Sequence, residues 1–129
     1  MRTLPLSLLS IVAGIILSAM PTRADAFAVS FSWAGILACE SISPAFELSG
    51  VPPGTKKLSF KMTDLDVPTF PHGGSIVAYA GDAVKRGAIR YTGPCPPSGQ
   101  RHRYRWTVQA LDGAGKVLGS ASATETFPP

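Results

Sequence analysis

After its first 26 residues this chain is cut into short segments by clusters of glycine and proline: Pro52-Pro53-Gly54, Pro71-His72-Gly73-Gly74, Pro94 through Gly99, and Asp112-Gly113-Ala114-Gly115. Such clusters end strands and make turns, glycine by reaching positive φ and proline by fixing φ and withholding a backbone donor. The segments between them alternate apolar and polar side chains with period two, the pattern of a half-buried strand, and none carries a helical stripe. Phe27, Val29, Phe31 and Trp33 share one face against Ala28, Ser30 and Ser32, and Leu58, Phe60 and Met62 alternate with Lys57, Ser59 and Lys61. Tyr104, Trp106, Val108 and Ala110 form the apolar side of what reads as the longest strand. Lys116 to Phe127 supplies the last strand, and Ser75 to Ala80 and Ala88 to Thr92 are shorter ones. Asp112 through Gly115 predicts the hairpin turn between the last two. Strands this short and this regularly spaced predict an all-β fold, an antiparallel β-sandwich with Greek-key links and little or no helix.

Residues 1–26 read as a cleaved export signal: Arg2 gives a short positive region, Leu4 to Met20 is mostly apolar, and Ala24-Asp25-Ala26 is a small-x-small cleavage site. The apolar run carries Pro5, Ser7, Ser10 and Ser18, and it falls short of the roughly 20 residues that a membrane span needs. Residues 27–129 then form one domain, with no integral membrane span after cleavage. Of 12 Lys and Arg, Arg2 and Arg23 leave with the signal, and of 8 acids Asp25 leaves, so ten cations face seven anions, a net +3. That balance favours anionic partners but is no nucleic-acid footprint, since only Arg101, Arg103 and Arg105 cluster. Cys39 and Cys95 both survive cleavage, and in an oxidising periplasmic or secreted setting a lone pair forms a bridge; two buried free thiols are the alternative.

The richest stretch is Gly93-Pro94-Cys95-Pro96-Pro97, a rigid turn that leads through Ser98 to Arg101 into His102-Arg103-Tyr104. Alternation on a strand sends His102 and Tyr104 to one side and Arg101, Arg103 and Arg105 to the other. Upstream, Asp64-Leu65-Asp66-Val67-Pro68 precedes His72. The same alternation would aim the carboxylates of Asp64 and Asp66 to one side, where mutual repulsion calls for a cationic partner such as Arg103 or Arg105.

Together these elements resemble the phosphatidylethanolamine-binding protein family, the Raf kinase inhibitor-like proteins, with its G-x-x-P-P turn into H-R-Y and its D-P-D-A-P box followed by a histidine. Ser43-Pro44, Pro53-Gly54-Thr55-Lys56 and Ala110-Leu111-Asp112 extend the likeness over roughly Ser43 to Asp112. The resemblance implies the sandwich fold of that family in a trimmed, exported form. It also implies an anion pocket made by Asp64, His72, His102 and Tyr104, with Gly93 and Pro97 at its mouth. Asp66, Pro68 and Arg103 are implied as structural, Arg103 serving the acidic box, and the Val67-Pro68 peptide as cis. The chain departs from the pattern at Leu65, at Val67 and at Phe70-Pro71, where a tryptophan usually stands.

The expectation is a non-catalytic exported protein that binds a small anion, such as phosphate, a phospholipid head group or a carboxylate, with no cofactor. It would act as an inhibitor or modulator of a partner protein, and an uncovered sheet edge would admit a homodimer. Two alternatives come from other classes. Asp64, Asp66, His72 and His102 have the chemistry of zinc or manganese ligands, without diagnostic spacing. His72-Gly73-Gly74-Ser75 superficially resembles an oxyanion loop of a small hydrolase, but no G-x-S-x-G elbow accompanies it.

Overall fold

The computed structural model describes residues 25–129 together with Ile15, Ser18 and Ala19. The rest of the segment read as an export signal lies outside the described residues. Seven strands follow in order: β1 Ala28–Phe31, β2 Phe46–Ser49, β3 Lys57–Asp64, β4 Gly74–Ala78, β5 Ala83–Val84, β6 His102–Leu111 and β7 Val117–Phe127. Among the described residues there is no helix. The strands form two antiparallel sheets, one ordered β1-β2-β5 and the other β4-β3-β6-β7. The chain is thus the antiparallel β-sandwich that its alternation predicts. Between β3 and its partner β6 the chain forms β4 on the same sheet and then β5 on the opposite one, a long connection of the Greek-key kind.

The core lies between the sheets and is aromatic. β3 turns Leu58, Phe60 and Met62 inward, and β6 adds Tyr104, Trp106, Val108 and Ala110, while β1 and β2 answer with Val29, Phe46 and Leu48. Phe46 bridges the layers, its ring 4.8 Å from Phe60 and 5.1 Å from Trp106, the latter edge to face. Each such side chain withdrawn from water contributes about 1.5–3 kcal/mol, so this row of rings holds the layers together. Trp33 lies past the end of β1 yet is buried, packing edge to face on Tyr104 and Phe127 and donating its Nε1–H to the Glu125 carbonyl at 3.3 Å.

Three local expectations are corrected. Ala88 to Thr92 is extended but not a strand, because its backbone donors go elsewhere: Ile89 N to Ser43 Oγ, Arg90 N to Ser75 Oγ and Thr92 N to the His72 carbonyl. β7, at 11 residues, exceeds β6, at 10, since a bulge at Ala110/Leu111 lets pairing continue on a twisted edge. Val67-Pro68 is trans, for the one cis peptide among the described residues is Phe127-Pro128. The turn after β3 needs no cis bond, because the Asp64 side chain accepts the Asp66 and Val67 amides and carries the chain round.

Asp112 makes the β6–β7 turn as its sequence implies. Its Oδ1 accepts from the Ala114 and Lys116 amides, and Gly115, at φ 86°, occupies the left-handed region without a Cβ clash.

Candidate functional site

β3 places Leu58, Phe60, Met62 and Asp64 in one inward row, so its last member is a carboxylate where an apolar residue would fit. Asp64 is only 4% exposed and has every demand met locally: Oδ1 takes the Asp66 and Val67 amides at 2.8 and 3.1 Å, and Oδ2 takes His102 Nδ1 at 2.7 Å. A buried carboxylate is tolerable only with such partners. Asp64 lies directly across from Tyr104 in the β3–β6 register, which places the phenol beside the charge. Burial first, and then the Asp64 charge, push the Tyr104 phenol well above its usual value, so it is a proton donor at every physiological pH.

The two histidines are held differently. His102, at the head of β6, gives Nδ1–H to Asp64 and has its Nε2 3.1 Å from the side-chain amide of Gln100, so both ring nitrogens are occupied by the protein. His72, in the β3–β4 loop, lies 2.7 Å through Nδ1 from the Thr92 carbonyl, and Thr92 N returns a bond to the His72 carbonyl at 2.8 Å. That arrangement fixes the tautomer, with the proton on Nδ1, and leaves Nε2 without a hydrogen-bond partner among the described residues. The ring is wedged between Phe70, 4.5 Å away, and Tyr104, which it meets nearly perpendicularly at 5.5 Å.

These side chains share one pocket of about 430 Å³. Asp64, His72, His102 and Tyr104 line it with Gly93 and Pro97, so the six residues singled out in the sequence are brought together. Val67, Phe70, Thr92 and the sulfur pair of Cys39 and Cys95 complete the lining. The result is a few polar groups in a largely apolar hollow, the usual make-up of a small-molecule site. Gly93 is required by its position: a Cβ there would run into the Glu40 carbonyl oxygen, so only glycine lets the two wall segments approach. Cys39 and Cys95 lie in disulfide-bonding position, their Cα atoms 4.4 Å apart.

Other sequence expectations do not meet here. Asp64 and Asp66 point apart rather than together, because the chain turns at Asp64 and breaks the alternation. Asp66 is exposed and accepts Arg103 N at 2.7 Å and the Arg103 guanidinium at 3.2 Å, contacts that hold its carboxyl below the usual range. Arg103 thus braces the turn through Asp66, whereas Asp64 is paired with His102. With Asp66 facing away, no group of three metal-ligating side chains forms among the described residues. Ser75 is not in the pocket lining, and its Oγ accepts Arg90 N, so it does not meet either histidine. Thr92 and Gln100 escaped the sequence reading: one acts through its backbone carbonyl, and the other stands two residues ahead of the motif histidine, where alternation offers a faint signal.

The sequence profile of the family described as "Phosphatidylethanolamine-binding protein" matches residues 73–127. Among solved structures, the chain resembles CT736 of Chlamydia trachomatis, described as a homologue of a phosphatidylethanolamine-binding protein, with 21% identity, a TM-score of 0.58, and 81% of this chain and 98% of that one covered. It also resembles E. coli YbcL, described as a new member of the mammalian family of that type, with 19% identity, a TM-score of 0.59, and 80% and 98% covered. A search of curated proteins finds no match.

Proposed function

The chain is a relative of the phosphatidylethanolamine-binding proteins, in fold and in residues 73–127, and from that premise we propose that it is an exported, non-catalytic binding protein for a small acidic ligand. The ligand carries a phosphate or carboxylate group, free or as a phospholipid head group, and through it the protein inhibits or modulates a partner. The observation that carries this reading is His72 Nε2, a nitrogen oriented by Thr92 and left unbonded on the lining of a pocket that also holds the Tyr104 phenol. Neutral His72 accepts a protonated ligand oxygen there, and protonated His72 donates to an anionic one. Val67, Phe70 and Pro97 suit the apolar remainder of the ligand. His102 and Asp64, already bonded to the protein and to each other, position the floor rather than take the ligand.

Export is supported by the character of residues 1–26 and by the cysteine pair, which is compatible with an oxidising compartment. Absence of turnover is part of the proposal, supported by Ser75, which does not line the pocket of the two histidines and whose Oγ accepts Arg90 N.

Isothermal titration of the purified protein with inorganic phosphate and with phosphoethanolamine tests the reading. His72→Ala is expected to weaken binding at least tenfold, about 1.4 kcal/mol, in protein that still unfolds cooperatively though at a lower temperature, and binding is compared well below both melts. Equal affinity of parent and variant for both probes would sink it.

A further inference from the structure

Cys39, Thr92, Gly93, Cys95 and Pro97 of the pocket lining come from two stretches without strands, residues 37–44 and 87–101. The second stretch is laced to the first by a run of bonds. Gly87 N reaches the Ser43 carbonyl at 2.9 Å, Ile89 N the Ser43 hydroxyl at 3.1 Å, and the Tyr91 hydroxyl the Ile42 carbonyl at 3.2 Å. Gly93 N reaches the Ser41 hydroxyl at 3.2 Å, and Cys39 N the Pro94 carbonyl at 2.8 Å. Beyond Pro94 the lacing stops. From Pro96 to Gln100 the one backbone bond among the described residues is internal, Gln100 N to the Pro97 carbonyl. This short loop nevertheless carries two parts of the site: Pro97 in the pocket wall and Gln100, which occupies His102 Nε2. The Cys39–Cys95 bridge ties its start to the first stretch, beside the Cys39 N to Pro94 carbonyl bond and a backbone bond from Cys95 to the Tyr104 phenol.

Two further observations bear on that bridge. Both cysteines are solvent-exposed and both line the pocket, so the bridge is open to a reagent from solution. Cys39 is also the one non-glycine residue at positive φ among the described residues, at 66°, in a region that L side chains rarely occupy. Exposed bridges are the ones that exchange readily with thiols.

We propose that Cys39–Cys95 is a redox modification site that controls the pocket: a dithiol reductant opens the bridge, frees residues 96–100 and dismantles the wall. A thiolate of the reductant attacks one sulfur, forming a mixed disulfide and releasing the other cysteine as a thiol. The second thiol of the reductant then displaces the first cysteine, leaving two protein thiols and an oxidised, cyclic reductant. Two electrons and two protons pass to the protein. Cys39 relaxes from its left-handed conformation, Pro97 leaves the wall, and Gln100 leaves His102. The effect on ligand rests on the proposed function; the structural effect does not.

The test uses the full protein, folded and without denaturant, treated with dithiothreitol and then with a maleimide to count thiols by mass. Two readouts follow: imidazole nitrogen shifts of His102 with hydrogen exchange at the Gln100 amide, and titration with inorganic phosphate. The switch predicts two thiols per chain, a shifted His102 with His72 unchanged, at least tenfold faster exchange at Gln100, and phosphate affinity at least tenfold weaker. Cys39→Ser combined with Cys95→Ser reproduces those changes without reductant. Thiols that appear only in denaturant, global unfolding on reduction, or a reduced protein with His102 and Gln100 unaltered would each overturn the switch. If the oxidised protein binds no phosphate, the ligand reading fails, and the His102 and Gln100 signals still decide the switch.

Discussion

Asp64 ends an otherwise apolar inward row and serves three donors at once, so its loss is felt twice. Asp64→Ala leaves His102 Nδ1 and two turn amides without an acceptor in a buried site, and is expected to cost about 3–5 kcal/mol in urea denaturation. Asp64→Asn keeps an acceptor for the turn but removes the charge beside Tyr104. The Tyr104 phenol should then titrate lower than in the parent, as followed by ultraviolet absorbance. The same tyrosines set an alkaline limit. Burial pushes Tyr91 up to about 12 and moves Tyr104 in the same direction, so the folded state holds phenolic protons that the unfolded state releases near the ordinary tyrosine value of 10. Stability is therefore fully present below pH 10 and is lost as pH rises through the folded values. Thermal melts across that window should fall steadily, and less steeply in Tyr91→Phe. At this scale the motif residues were legible because Asp64, His72, His102 and Tyr104 have chemistry that stands out from an apolar pattern. Asp66 misled because alternation holds only while the strand lasts, and a side-chain-to-backbone turn ends β3 two residues earlier than the carboxylate spacing suggests.

Two-residue alternation predicts best the long central strands of the four-stranded sheet. β3 and β6 are central strands, and their inward rows are nearly continuous in apolar side chains. β2 and β5 left a shorter trace. β2 alternates as Phe46-Glu47-Leu48-Ser49, but over only two periods between Pro44 and Gly50, and β5 is two residues defined only by pairing to β2. Ala88 to Thr92 shows the reverse: Ile89 is buried and Arg90 exposed, a true extended alternation, yet its amides bond to side chains and a loop carbonyl instead of a ladder. Sequence pattern reports which side chains face inward; it does not report where backbone donors go. One position in this irregular wall admits a sharp test. Gly93→Ala drives a Cβ into the Glu40 carbonyl and separates the two wall segments. A loss of about 1–3 kcal/mol is expected, with weaker phosphate binding in the folded fraction. Unchanged urea midpoint and affinity would show that the wall yields without cost.

On the scale of the molecule, the site joins parts far apart in the chain: Cys39 from the segment between β1 and β2, Asp64 to His72 from the end of β3 onward, and Thr92 to Tyr104 from the approach to β6. The bridge of sequence separation 56 ties the first to the last. In the chain-entropy account such a loop adds about 4 kcal/mol, so a double serine variant should melt lower by that order yet remain cooperative, held by the aromatic core. Calorimetry on the variant checks this. Why the pocket as a whole was only partly legible follows from the same distances: the motif supplies floor and mouth, whereas the Cys39 wall comes from a segment with no motif of its own.

The turn from Asp112 to Gly115 lies at the far end of β6, about 30 Å of strand away from His102. β7 is matched to β6 from His102↔Phe127 through Ala110↔Gly119. A chain severed at that hairpin should consequently reassemble from two pieces, the C-terminal peptide adding back as an edge strand and restoring the molecule without a covalent link. Tags or inserted sequences placed at the same hairpin would ride on the end remote from the ligand.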